Sequence, residues 1–281
     1  MFWIGASTVC AVGSILLATN CGRVEQPKKI ELELKKGNHL NDYQKRVIIN
    51  LLKNGNEDLK KLKERLAKIR NDDYDSLNRI ARELFENEEI ELVHNPNLAK
   101  RWIEEWLKVM TVFPQIKGKV RLAANKSPHF DRDNDCFAES FSDPPSGLYD
   151  IIYYKGMEDQ EKCKEAEREG LFAKGPTTEY TIAHELGHVI SFIIESKTSE
   201  CLDINVPYAN IKGRKGTLKQ EVLKISRYPL KAVSKNTGSF YDYMLNMEAI
   251  AEAFADVNTS GESAAPLSKE IVFYMYEMIK K

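Results

Sequence analysis

The stretch "EYTIAHELGHVISF", residues 179–192, holds two of the chain's five histidines, four residues apart, with a glutamate beside the first. On an α-helix, positions i and i+4 lie on one face, one above the other. His184 and His188 can therefore reach a single ion, and Glu185 projects next to them, where a carboxylate can hold and deprotonate a water. Ile182, Leu186, Val189 and Ile193 recur at helical spacing and predict that the rest of the helix is buried. Gly187 adds no side chain to crowd the backbone around such a site. The segment thus predicts a helix that is half core and half site. Such a helix needs a second element to complete the ligand set, because a catalytic zinc takes three protein ligands and keeps one position open.

No histidine follows His188, and "VISFIIES" after it has no place for a third one in the extended zinc pattern. A downstream ligand is therefore a carboxylate or Cys201. In "SFYDYMLNMEAIAEAFADV", 239–257, Glu248, Glu252 and Asp256 stand at i, i+4 and i+8 and share a helix face. A solvated acidic face would lie among lysines. These acids lie among Ala, Ile, Phe and Met, where a carboxylate is costly unless it is paired or bound to metal. The alanines at 249, 251, 253 and 255 let this helix approach another closely. Two satisfied core histidines would need none of these acids, so the pattern favours a metal site.

Composition restricts the partners. The 281 residues carry 41 basic and 42 acidic side chains, a formal net charge of −1. No global charge points to nucleic acid or to an anionic membrane surface. The basic run "KGRKGTLK", 212–219, reads as a solvated loop. Cys136, Cys163 and Cys201 are odd in number and lack CxxC spacing, which argues against a disulfide framework or a cysteine-based zinc site. Met1 to Gly22 contains no charged side chain and predicts an export or membrane-anchoring segment. "LLATNCG" resembles a lipoprotein signal ending at Cys21. The expected location is therefore secreted or membrane-anchored, with membrane association expected through this segment.

Along the chain, 1–23 is the signal or anchor, and 24–37 reads as a linker. The region 24–113 is otherwise helical. "DYQKRVIINLLKNG" puts Tyr43, Val47, Ile48, Leu51 and Leu52 on one face, with Gly55 as a stop. "NEDLKKLKERLAKIR" repeats the pattern, and "DSLNRIARELFENEE" does so again with Asp75 or Ser76 as its cap. A fourth helix runs between Pro96 and Pro114, with Trp102 and Trp106 one turn apart. After Pro114, "GKVRLAA" (118–124) and "GLYDIIYYKG" (147–156) read as strands, separated by a polar loop. "DRDND" in that loop lacks the glycine and terminal glutamate of a calcium site. A short helix is expected over 158–169, an irregular stretch over 196–238, and helices from about Asn246 and Lys269. Together these elements predict an α+β chain, with a helical region (24–113) ahead of a metal-binding domain (114–281).

At the two metal motifs the sequence resembles the gluzincin zinc metallopeptidases. More narrowly, "SFYDYMLNMEAIAEAFAD" is similar to the tyrosine-plus-glutamate segment of the anthrax lethal factor catalytic domain and of zincin-like domains in phage head proteins. The shared pattern is Tyr241, Glu248, Ala251–Glu252 and Phe254. The resemblance implies a zincin-like fold and a zinc-dependent endopeptidase acting on a protein or peptide. It implies His184, His188 and Glu248 as Zn2+ ligands, Glu185 as general base, and Tyr241 as donor to the oxyanion. Glu252 would orient a ligand histidine. Glu252 and Asp256 also fit the pattern of thermolysin-like enzymes, in which Glu252 would be the ligand and Asp256 would support a histidine. The resemblance further implies that the strand at 148–154 is an edge that binds extended substrate, and that Thr177 or Thr178 caps the zinc helix. The phage resemblance implies an alternative: a zincin-fold assembly module with a structural zinc and no turnover. Glu185 and Tyr241 favour catalysis, since a structural zinc needs neither.

Overall fold

A computed structural model describes residues 28–30, 40–87, 90, 96–124, 138–143, 146–153, 161, 164, 165, 168, 178–198, 200–202 and 239–280. These form seven helices of eleven residues or more: α1 (Asp42–Asn54), α2 (Glu57–Ala67), α3 (Tyr74–Phe85), α4 (Pro96–Val112), α5 (Thr178–Thr198), α6 (Ser239–Ser260) and α7 (Pro266–Ile279). Five strands accompany them: β1 (Lys28–Ile30), β2 (Val120–Ala124), β3 (Ala138–Asp143), β4 (Leu148–Tyr153) and β5 (Glu200–Leu202). The architecture is α+β, mostly helical with a small three-stranded sheet.

The first helices form as their sequence directs. Asn41 caps α1 through a reciprocal capping box with Gln44. Asn56 caps α2 by accepting from two backbone amides. Leu59, Leu62 and Leu66 then bury the stripe of α2, and Leu77, Ile80 and Phe85 that of α3. Two local expectations are corrected. Tyr43 sits at the start of the α1 stripe yet is 70% exposed, and Ile49 is buried in its place. The cap of α3 is Asp73, whose side chain accepts from Ser76 N, and not Asp75 or Ser76. The run "NDDYDS" offers several capping residues, and Asp73 is the one placed three residues before a free amide.

The core is continuous from α1 to α7. Phe85 packs on Trp106 at 4.2 Å between ring centroids, and Trp102 lies 5.8 Å from Tyr153 of the sheet. Phe113 at the end of α4 meets Phe254 of α6 and Tyr276 of α7. Helix α4 also carries a buried polar contact: Lys108 Nζ lies 2.7 Å from Glu105, whose other oxygen accepts from Asn258 Nδ2 of α6 at 2.7 Å.

The sheet has the order β2-β4-β3, with β2 parallel and β3 antiparallel to β4. This overturns two expectations. Residues 148–154 are not an edge, because β4 is the central strand, paired on both sides. The edge beside the motif helix is β3, "AESFSD", part of what the sequence presents as a polar loop. Its residues have little strand preference of their own. Pairing with β4 through the turn at Gly147 (φ +66°) supplies what propensity does not. On the outer face, Arg121 joins the three strands by a two-pronged contact to Asp150 and a single one to Asp143.

Elsewhere the helices run longer than expected. α6 begins at Ser239 and not near Asn246, and α7 at Pro266 and not near Lys269. Lys28–Ile30, within the expected linker, pairs in parallel with Glu200–Leu202. The segment 1–23, the loop with His129 and the aspartates, Thr177, and most of 158–169 and 203–238 lie outside the described residues. Among the described residues no helix is long and apolar enough to cross a membrane.

Candidate metal centre

Helix α5 is buried almost all round: every residue from Tyr180 to Ser191 is shielded, the polar ones included. A helix covered on all sides needs a close partner on its polar face, and α6 is that partner. Gly187 explains the approach. A Cβ there would lie 3.1 Å from the Ala251 Cα and 3.1 Å from the Phe254 Cβ. The glycine of HELGH and the small residues of α6 thus set two helices close enough for their acids and histidines to touch.

Three side chains converge. His184 Nε2 lies 3.1 Å from His188 Nε2 and 3.2 Å from Glu248 Oε2, and His188 Nε2 lies 3.5 Å from the same oxygen. Ligand atoms around a tetrahedral zinc are separated by about 3.3–3.4 Å, given bonds of about 2.0–2.1 Å. The triangle therefore fits such an ion without rearrangement. Two imidazole nitrogens this close cannot both carry a proton toward each other. Each can instead direct a lone pair at one cation. His184, His188 and Glu248 are all buried and are compatible with holding a metal ion.

Glu252 stands behind the triangle. Its Oε1 is 2.8 Å from His184 Nδ1, and its Oε2 accepts from the Tyr180 hydroxyl at 2.7 Å. With both oxygens engaged, Glu252 holds the ring of His184 and leaves Nε2 facing the triangle. Asp256 does not support a histidine. Its Oδ2 accepts from Ala265 N and Ser268 Oγ and so fixes the start of α7. The third donor is thus Glu248, and the thermolysin-like assignment of Glu252 and Asp256 does not describe this geometry. His188 is backed by an aromatic stack: Phe192 lies 6.3 Å from its ring, and Tyr149 lies 6.0 Å from Phe192.

The electrostatics favour positive charge. Burial alone would lower the basicity of His184, but its contacts with Glu248 and Glu252 raise it well above the ordinary histidine value. Burial would likewise raise the Glu248 carboxyl, but the charge of His188 and the contacts from both imidazoles hold it well below the usual carboxylate range. A pocket that retains a proton this firmly is also one in which a cation can replace that proton. Glu252→Gln is expected to weaken metal binding by about tenfold to a hundredfold, since the amide keeps one acceptor oxygen for two donors, His184 Nδ1 and the Tyr180 hydroxyl. Competition with a chromophoric chelator would measure the change.

Glu185 is buried on the same helix, turned toward the sheet. Its Oε2 accepts from Ser140 Oγ of β3 at 2.5 Å. Tyr241 lies in the first turn of α6, but its side chain, like that of Tyr243, is outside the described residues. Two polar groups here were not anticipated. Tyr180 is detectable in principle, as an aromatic one turn before His184 on the same face. Ser140 would have required reading "DPPSG" as a hairpin turn that pairs the preceding residues with "LYDIIYY".

Comparison with known proteins finds no match for this chain, whether among family models, curated proteins or solved structures.

Proposed function

We propose that the chain is a zinc-dependent metalloendopeptidase with a zincin-like fold, its ion held by His184, His188 and Glu248. The observation that carries this reading is the donor triangle with Glu185 one residue along the helix from its first corner. Zinc in that position would supply Lewis acidity, polarising a peptide carbonyl and lowering the pKa of a water. Glu185 then takes the proton as the water oxygen attacks the carbonyl carbon. It passes that proton to the amine as the C–N bond breaks, so the proton count closes on one carboxylate. Tyr241, seven residues before Glu248, would donate to the oxyanion. Strand β3 is paired on one side only among the described residues and would take an extended peptide along its other edge. The uncharged N-terminal segment supports a location outside the cell or at a membrane surface for this activity.

The test is metal content and cleavage measured on the same preparation. About one zinc per chain is expected. The best-cleaved member of a quenched-fluorescence peptide library should lose at least about a hundredfold in turnover in Glu185→Gln, with zinc retained. Zinc without any cleavage by the wild type would favour the assembly module. A wild type that takes up no zinc would overturn the metal site itself.

A further inference from the structure

We infer that Ser140 is a positioning residue for Glu185, fixing which carboxylate oxygen handles the proton; this rests on the peptidase reading. Ser140 lies on the inner face of β3, opposite Ile151 of the central strand. Its side chain is buried and so is that of Glu185. The hydroxyl has one proton and two acceptors within reach: Glu185 Oε2 at 2.5 Å and the Glu185 backbone oxygen at 3.3 Å. The short contact is that of a hydroxyl donating to a carboxylate, the stronger class of hydrogen bond.

A free glutamate side chain turns about its last torsion, and its two oxygens are equivalent. Here the serine occupies Oε2, which leaves Oε1 as the oxygen that takes the proton from water and returns it to the amine. Fixing that torsion matters because proton transfer demands alignment within hydrogen-bond reach. The contact also joins the base to the strand whose outer edge would carry the peptide. Substrate and base are thus held by one rigid element, and Ser140 sets the register between them. None of this requires the serine to touch the substrate or the ion.

The experiment uses the full chain with zinc and the best-cleaved peptide of the library. Ser140→Ala is expected to lower kcat by about tenfold to a hundredfold, with KM within about twofold of wild type. Zinc content should be unchanged, and any fall in the thermal midpoint should leave the protein fully folded at the assay temperature. Ser140→Thr keeps the hydroxyl and suits a strand, and should restore most of the rate. In a Glu185→Gln background, Ser140→Ala should cost nothing further, because two residues acting through one group are not additive. A full rate in Ser140→Ala, or a further loss in the Glu185→Gln background, overturns the inference. So does a loss of zinc or of thermal stability that accounts for the lost rate, since the serine is then a packing residue. If the wild type cleaves and Glu185→Gln does not, those failures concern the serine alone. If the wild type cleaves nothing in the library, the peptidase reading fails first and the serine's role falls with it.

Discussion

Glu248→Ala is expected to abolish stable zinc binding, while Glu252→Ala retains a weakened site. Glu248 supplies one corner of a triangle whose other corners are both imidazole nitrogens, and no other carboxylate oxygen among the described residues joins that cluster. Its loss removes a ligand and the negative charge that draws the cation in. The effect should exceed the roughly tenfold to hundredfold change typical of groups that only orient a ligand. Elemental analysis after dialysis against a weak chelator would read both variants side by side. Circular dichroism would show that each remains folded. Zinc retained in Glu248→Ala and lost in Glu252→Ala would reverse the assignment and return the site to the thermolysin-like arrangement.

The second large effect is expected far from the site. Lys108→Ala leaves Glu105 buried beside Asn258 without its ammonium partner. Burial already raises the Glu105 carboxyl above its ordinary value, with Lys108 pulling it back down. Removing one member of a buried pair costs about 3–5 kcal/mol. The cost falls on the ionised form. It is therefore full at neutral pH and shrinks as pH falls through the raised folded pKa toward the unfolded glutamate value of about 4.3. Urea unfolding at pH 7 and pH 5 would show a smaller deficit at the lower pH. Replacing both residues, Lys108→Met with Glu105→Gln, which removes the charge and keeps an acceptor for Asn258 Nδ2, should recover most of the loss. A deficit independent of pH would mean that Lys108 contributes by packing its carbon stem and not by its charge.

The donor cluster was legible because its chemistry leaves marks that survive without a structure. Two histidines at helical spacing and three acids in an apolar run are each uncommon, and they complete each other. What sequence could not decide was which acid faces inward. Glu248 and Glu252 are one turn apart on the same face, and only the position of Tyr180 and the His184 ring separates their roles. The helical region was legible from its stripes, since leucines at three- and four-residue spacing have few other uses. Tyr43 departs from its stripe and keeps its ring in solvent, and Glu105 and Lys108 are buried as a pair that no stripe announces. Strand β3 was hidden for a different reason. "AESFSD" has no branched aliphatic residue, and its strand character arises from a partner it meets only in the fold.

The continuous core also bears on how such a chain can mature. Many secreted hydrolases are held inactive by a leading segment that is later cut away. Helices α1 to α4 cannot serve as that segment here. Trp102, Ile103, Trp106 and Val109 are fully shielded, and Asn258 of α6 reaches Glu105 across the join. Discarding residues 40–113 would strip the cover from the core and strand that asparagine. A nick near Pro114 should therefore yield two fragments that stay together through gel filtration.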